Sequence, residues 1–525
     1  MTRPGLVLEV DERTPPLLVH QGEGFRLERF PLGTRVVYPP DSLPGLRDLD
    51  AGIADALHHP LGSEPLPDLL KPGMRLTIVF DDLSLPLPPM RAPDVRQRII
   101  EQVLELAARA GVDDVELVAA NALHRRMTPA EIRHIVGERV FASFWPDRLR
   151  NHDAEDQGGL LAVGVTPHGE EVEINRRAAE SDLIVYVNIT LVAMNGGAKS
   201  VAVGLASYRS LRHHHNVHTL RHSRSFNDPP NSAMHHSYHR MHRVLSDAVK
   251  VFHVEATLNN DQFPGRFAFL NRREWEWTLT DQAAFLAARR ANELAPPAVR
   301  RRLWHRLRAP YQVTGVHAGA TEDVHALTLE NVYRQQLTEV HGQSDVLVLG
   351  LPYLSPYNVG SVMNPILVAC LGLGYYFNMY RGRPLVREGG VLIMYHPMPA
   401  EFDPLHHPSY IDFYEEVLTQ TTDPATIETK FEEQYATDPW YVHLYRNSHA
   451  YHGVHPFYMW YWGAHAREHL GDVICVGADR RTASRLGFRA ATTLADALEM
   501  AGETVGRSPG VTYLHTPPMT MADVR

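Results

Sequence analysis

Residues 75–119 read RLTIVFDDLSLPLPPMRAPDVRQRIIEQVLELAARAGVDDVELVA, and this stretch decides the fold. Arg75–Phe80 is a short, nearly continuous apolar run, the pattern of a strand buried on both faces. Over Asp94–Ala110 the apolar side chains Val95, Ile99, Val103, Leu106 and Ala110 recur at helical spacing, and Gly111 stops the helix. Val115–Ala119 is a second strand. A strand, a crossover helix and a strand make a β-α-β unit, so a parallel sheet is expected.

The same grammar continues outward. Thr128, Pro129 and Glu131 have the spacing of a capping box with proline at the first helical position. Leu183–Val187 reads as a strand, and Ser200–Asn216 as partly helical. Asn227–Asn231 (NDPPN) breaks the chain, and 273–308 reads as helices. Asp345–Leu349, Val391–Tyr395, Asp472–Val476 and Val511–Leu514 read as strands of a second unit. Helices are expected at Pro365–Leu373, Asp412–Gln420, Pro424–Gln434 and after the Thr493/Asp496 cap. The expected fold is α/β: two α/β domains with mainly parallel sheets and an active-site cleft between them. The expected bounds are 1–275 for a cofactor-binding domain, with 1–70 as a β-rich cover, and 276–309 for a helical connection. A second domain would cover 310–470, with an α/β tail, 471–525, returning to the first domain.

Composition narrows the function. The 525 residues are 44% hydrophobic and 21% charged, which excludes a disordered or fibrous chain. A net charge of −10 offers no basic field to nucleic acid or an anionic membrane. Only Cys370 and Cys475 are present, which excludes a disulfide framework and a cysteine-based metal cluster; a cytoplasmic setting is expected. The start lacks a signal peptide's apolar core, and the longest apolar run, Pro365–Phe377, falls short of the roughly 20 residues a membrane helix needs.

Polar clusters just past strand ends carry the chemistry, because open α/β sheets bind ligands there. They are Asp81-Asp82, Asn121–Arg126 (NALHRR), Asn195–Ser200 (NGGAKS) and the Tyr353–Asn358 loop. His124 can titrate near neutral pH in such a loop, or simply bond its neighbours. Gly196 and Gly197 permit a tight turn whose N–H groups would favour phosphate, beside Ser200. Lys199 can serve as a point charge or, with a lowered pKa, as a nucleophile. The 31 histidines cluster: His213, His214, His215, His218 and His222, then His235, His236, His239 and His242. On a helix His214, His218 and His222 would share a face, and nickel, zinc or copper would suit one or two of them; a solvated polar helix is the alternative.

These clusters, in this order, resemble the lactate racemase family, the enzymes that carry a nickel-pincer nucleotide. The resemblance lies in VELVAANALHRRMTPAEI (115–132), NHDAEDQGGLLAVGVTPHGEEVEINRRAAESDLIVYVNI (151–189), MNGGAKSVAVG (194–204) and HHHN (213–216). It implies that Lys199 holds the cofactor, a pyridinium-3-thioamide-5-thiocarboxylic acid mononucleotide with Ni(II), through a thioamide. It implies His215 as the nickel ligand, His124 as a catalytic base and the Gly196-Gly197 loop beside the phosphorylated ligand. Asp82 orients His124 or caps the next turn. The implied reaction is racemisation or epimerisation of a 2-hydroxy acid or related secondary alcohol by hydride transfer to the cofactor. The implied partners are a small-molecule substrate and the proteins that build and insert the cofactor.

The departures shape the expectation as much. Val187-Asn188-Ile189-Thr190 has no imidazole where the family has its second base. Leu85 stands where the family has a carboxylate-binding arginine, and NPILVACLGLGYY (364–376) lacks the family's lysine. A substrate other than lactate is therefore expected, with Arg91, Arg125 and Arg126 as candidate anchors. The alternatives are a one-sided oxidoreductase or isomerase with the same cofactor, a non-catalytic cofactor-binding relative, and a zinc hydrolase built on three converging histidines.

Overall fold

The computed structural model describes residues 5–85 and 88–525. Among these, six strands form the first sheet in the order Val313–Gly319, Val251–Leu258, Leu183–Ile189, Arg75–Asp81, Asp114–Ala120 and Leu149–Asn151. Neighbours run parallel except Val313–Gly319, which is antiparallel to Val251–Leu258. The crossover helix is Val95–Arg109, capped by Asp94 through the Arg96 N–H, and it buries Val95, Ile99, Ile100 and Val103. Burying four such side chains supplies about 1.5–3 kcal/mol each, which is what holds the helix on the sheet. The Thr128/Glu131 capping box forms as expected.

The second sheet is built on the parallel strands Val511–Leu514, Ser344–Pro352, Val386–Tyr395, Asp472–Val476 and Arg489–Ala491. The protein therefore has two α/β units with mainly parallel sheets. The expected bounds do not follow the strand pairing. Arg35–Val37 runs parallel to Val511–Leu514, and Leu17–Gly22 pairs with the end of Ser344–Pro352, so strands of the expected cover belong to the second sheet. The tail strands Asp472–Val476 and Val511–Leu514 also join the second sheet rather than returning to the first. Val313–Gly319, placed in the second unit by sequence, closes an edge of the first sheet. Each difference has one cause: pairing partners far beyond any short sequence window leave no local pattern.

The expected helix at Pro365–Leu373 is α-helical over Pro365–Ala369 and widens into a π-turn over Cys370–Tyr376. Gly374 is required there, because a Cβ would sit 2.8 Å from the Trp462 Cβ. Among the described residues no helix is long and apolar enough to cross a membrane.

Candidate functional site

The loops after Arg75–Asp81, Asp114–Ala120 and Leu183–Ile189 meet in one small cavity of about 80 Å³. Asp81, Asp82, Leu85, His124, Lys199 and Ser200 are among its walls, with Gly196 at its edge. Two larger clefts, about 800 and 560 Å³, lie at Tyr38/Trp275/His515 and at Glu23/Arg300/Tyr353. Size does not decide between them. The small cavity is where an acid pair, an imidazole and an amine converge at the carboxyl ends of parallel strands.

Asp82 fixes His124. The Nδ1 of His124 lies 2.8 Å from Asp82 Oδ2, so Nδ1–H donates to the carboxylate and Nε2 is left as an acceptor. Asp82 also accepts from the Ser84 N–H and hydroxyl, so it orients the imidazole and caps the turn at once. Burial would raise the Asp82 pKa, but the facing His124 and the Ser84 donors outweigh it and hold the carboxyl below its usual range. Its neighbour goes the other way: burial pushes Asp81 up to about 7, against the pull of Arg96. The Arg96 guanidinium cannot serve a ligand, because Asp94 and the carbonyls of Asp81 and Asp82 use it.

Lys199 opens the short helix Lys199–Gly204. Burial draws its pKa down to about 8, against the opposing charges of Asp81 and Asp82. A nucleophilic amine near neutral pH follows. Acylation of the apoprotein by a small amine-reactive ester should reach half its maximal rate at Lys199 near pH 8, resolved by peptide mass mapping. A midpoint near the ordinary lysine value, about 10.4, would contradict this.

The glycine loop is tight for a reason the sequence does not show. The Gly197 N–H donates to the buried Glu255 carboxylate at 2.7 Å, and Glu255 pairs with His325 at 3.1 Å. A Cβ on Gly197, at φ +60°, would lie 2.5 Å from the His325 ring. The loop thus wraps a built-in carboxylate, and this amide does not face outward for phosphate as expected. Although burial opposes it, the His325 charge draws Glu255 down to about 2, so the anion persists.

His215 does not line the cavity. Its ring packs near Tyr458 and Trp462, with centroids 5.2 and 5.9 Å away, and its Nδ1 is 2.7 Å from His214 Nδ1. That bond occupies one nitrogen and leaves Nε2 to point elsewhere. Burial, then the charges of Lys199 and His124, pull His215 to about 3, so it is a neutral imidazole within electrostatic reach of both. The rest of the histidine belt divides. His218 and His222 share a face, with ring centroids 4.5 Å apart, but both are exposed, while His214 turns inward. Among the described residues no three His, Cys, Asp or Glu side chains converge to hold a metal, which removes the geometry a zinc hydrolase needs.

Sequence reading missed what the second unit contributes. The Tyr445 hydroxyl donates to the Ala122 carbonyl at 2.7 Å, and the His452 N–H donates to the Leu123 carbonyl at 3.2 Å. Arg125 forks onto Glu131 and reaches the Val359 carbonyl, and Arg126 donates to the Arg446 carbonyl. These bonds hold Ala122 at φ +44°, a region costly for a residue with a Cβ. They also commit the hydrogen-bonding ends of two candidate anchors to the protein itself. The helix His455–Tyr461 packs against the His124 loop, with the His455 ring 5.5 Å from that of His124. At the strand, Ile189 is buried, and the Thr190 hydroxyl donates to Glu255 at 3.3 Å; no imidazole stands there.

This fold and this site define a two-unit α/β protein with an acid–imidazole–amine cavity at the carboxyl rim of its first sheet. Residues 25–228 match the lactate racemase N-terminal domain family. The lactate racemase of Lactiplantibacillus plantarum is 25% identical over 221 residues, 40% of this chain and 48% of that protein. The lactate racemase of Thermoanaerobacterium thermosaccharolyticum is 26% identical over 169 residues, 31% of this chain and 37% of that protein. The matched region thus spans less than half the length of either curated relative. The structure of the lactate racemase apoprotein from T. thermosaccharolyticum superposes with a TM-score of 0.62 at 16% identity, covering 97% of this chain and 99% of that one. A Thermotoga maritima protein superposes at 0.51 with 12% identity, covering 91% and 97%. Over its N-terminal part the chain is thus similar to lactate racemases, and over nearly its whole length it shares the fold of the lactate racemase apoprotein.

Proposed function

We propose that the protein is a nickel-pincer nucleotide-dependent racemase or epimerase acting on a 2-hydroxy acid or related secondary alcohol other than lactate. One observation carries the reading: Lys199 shares a single cavity with the Asp82–His124 pair, with neutral His215 within reach of both. The donor set suits the group. A lysine near pKa 8 can be acylated, and a neutral imidazole oriented by a neighbouring ring can ligate a borderline-soft metal. The cavity, at about 80 Å³, takes a few waters, so a mononucleotide needs more room than these walls enclose.

When bound, the nickel-pincer nucleotide supplies a hydride acceptor. The chain supplies the rest. His124 Nε2 takes the substrate hydroxyl proton, and Asp82 holds Nδ1–H and balances the imidazolium that forms. The second unit pins the His124 loop through Tyr445 and His452. The same Nε2 would hand that proton back to the substrate oxygen, while the hydride chemistry itself would belong to the bound group. A second reading, the same cofactor in a one-sided oxidation, is favoured by Ile189 and Thr190, which leave the strand without a second base. Proteins that build and insert the cofactor are the partners this reading requires. A cytoplasmic setting, where the buried free Cys370 and Cys475 stay reduced, goes with it.

Turnover in deuterated water tests the hydride step. Product of inverted configuration should carry no deuterium at the carbinol carbon, read by NMR. Substantial incorporation would point instead to an enolate.

A further inference from the structure

The second sheet has a carboxyl rim of its own, and the cleft of about 560 Å³ opens on it. Gly22, Tyr353 and His396 line the cleft, and they end or directly follow the parallel strands Leu17–Gly22, Ser344–Pro352 and Val386–Tyr395. That is where open α/β sheets take their ligands. The cleft shares no lining residue with the Lys199 cavity.

Its buried side holds a donor of fixed direction. His396 is 3% exposed, and its Nδ1 accepts from the Met398 N–H at 3.0 Å, so the ring proton sits on Nε2. Burial pulls the ring to about 3, which keeps it neutral in this tautomer. Among the described residues no atom accepts from that Nε2–H. Gly22 leaves it uncovered on the cleft side: a Cβ there, at φ +58°, would lie 3.1 Å from Nε2.

The outer walls are guanidinium. Arg26, Arg289, Arg300 and Arg301 all line the cleft. Arg300 and Arg301 each donate Nε–H to one oxygen of Glu23 at 3.0 Å, and Arg289 donates Nε–H to Glu293 at 2.8 Å. Arg301 also donates through Nη2 to Glu401, so every lining carboxylate is already engaged by an arginine. These bonds hold the guanidinium planes, and among the described residues they leave the terminal Nη groups of Arg289 and Arg300 unspent. Such forks match phosphoryl oxygens. The cleft is larger than a phosphoryl group needs, and Val362, Met363 and Pro397 give the remaining space an apolar lining suited to an organic body.

We propose that this cleft binds a small phosphate monoester, with Arg289 and Arg300 on its phosphoryl group and the Nε2–H of His396 on an acceptor oxygen of the same molecule.

Titration of the full-length protein with glycerol 3-phosphate, inorganic phosphate and glycerol, followed by calorimetry at neutral pH and low salt, tests this. Glycerol 3-phosphate should bind about one per chain and about tenfold tighter than inorganic phosphate, and glycerol should give no heat. Arg300→Gln should weaken the ester about tenfold, and Arg289→Gln combined with Arg300→Gln should abolish binding. These two side chains are 37% and 27% exposed, so an unchanged thermal melt should accompany the loss. In ¹⁵N-labelled protein the His396 ring, assigned by its disappearance in His396→Gln, should show its Nε2 signal moving during the titration. Equal affinity for inorganic phosphate would overturn the ester. Binding that survives the double substitution, a stationary His396 Nε2 signal, or no binding by either phosphate would overturn the site. The measurement needs no cofactor, so its outcome is independent of the reading of Lys199.

Discussion

Lys199→Ala protein, co-produced with the cofactor-building enzymes, should emerge with no adduct in its intact mass and no racemase activity above background. The argument is chemical. Lys199 is the only amine among the described residues lining the cavity, and burial lowers it to about 8, where a substantial fraction is neutral at physiological pH. Alanine removes the acylation site outright. Lys199→Arg restores the charge but not the nucleophile, so it should fail in the same way; recovery by arginine would mean that Lys199 acts through charge alone. Folding should survive, because removing a buried amine also removes its desolvation cost. A Lys199→Ala protein that kept a bound nucleotide, nickel and full turnover would contradict the assignment.

His124→Ala should behave in the opposite way: the adduct stays on Lys199, while turnover falls by about 10²–10⁴, the usual contribution of a positioned base. The imidazole is held at Nδ1 by Asp82 and presents Nε2 to the cavity, so its loss removes proton transfer without touching the anchor. Asp82→Asn should cost less than His124→Ala, because an amide oxygen can still accept from Nδ1–H but cannot balance an imidazolium. Conversion of one enantiomer of a chiral 2-hydroxy acid or secondary alcohol, followed by chiral chromatography, gives the rates. An unchanged rate in His124→Ala protein would remove the imidazole from the mechanism.

The parts of this account that were legible in the sequence are the local ones. The strand Arg75–Asp81, the helix Val95–Arg109 and the Thr128/Glu131 cap announce themselves through periodicity and capping residues a few positions apart. His124 and Lys199 were found because strand ends and glycine turns are local signals as well. The first 40 residues were misplaced because Arg35–Val37 pairs with Val511–Leu514, a contact no short window contains. Glu255 escaped notice for the same reason: it looks like one more strand residue until Gly197 is seen donating to it. The aromatic run 455–462 carried a signal that went unused, since a helix buried all round with a histidine at its start must place that polar group against something. The three-histidine face failed because helicity over 213–222 is confined to Val217–Arg221, so His214 is not carried round with His218.

The whole reading turns on whether one amine carries an organometallic ligand. Intact mass with nickel quantification, on wild-type protein co-produced with the cofactor-building enzymes, measures that directly. The account predicts an added mass that maps to the Lys199 peptide and about one nickel per chain. Unmodified Lys199, with no nickel or with stoichiometric zinc in its place, would contradict it.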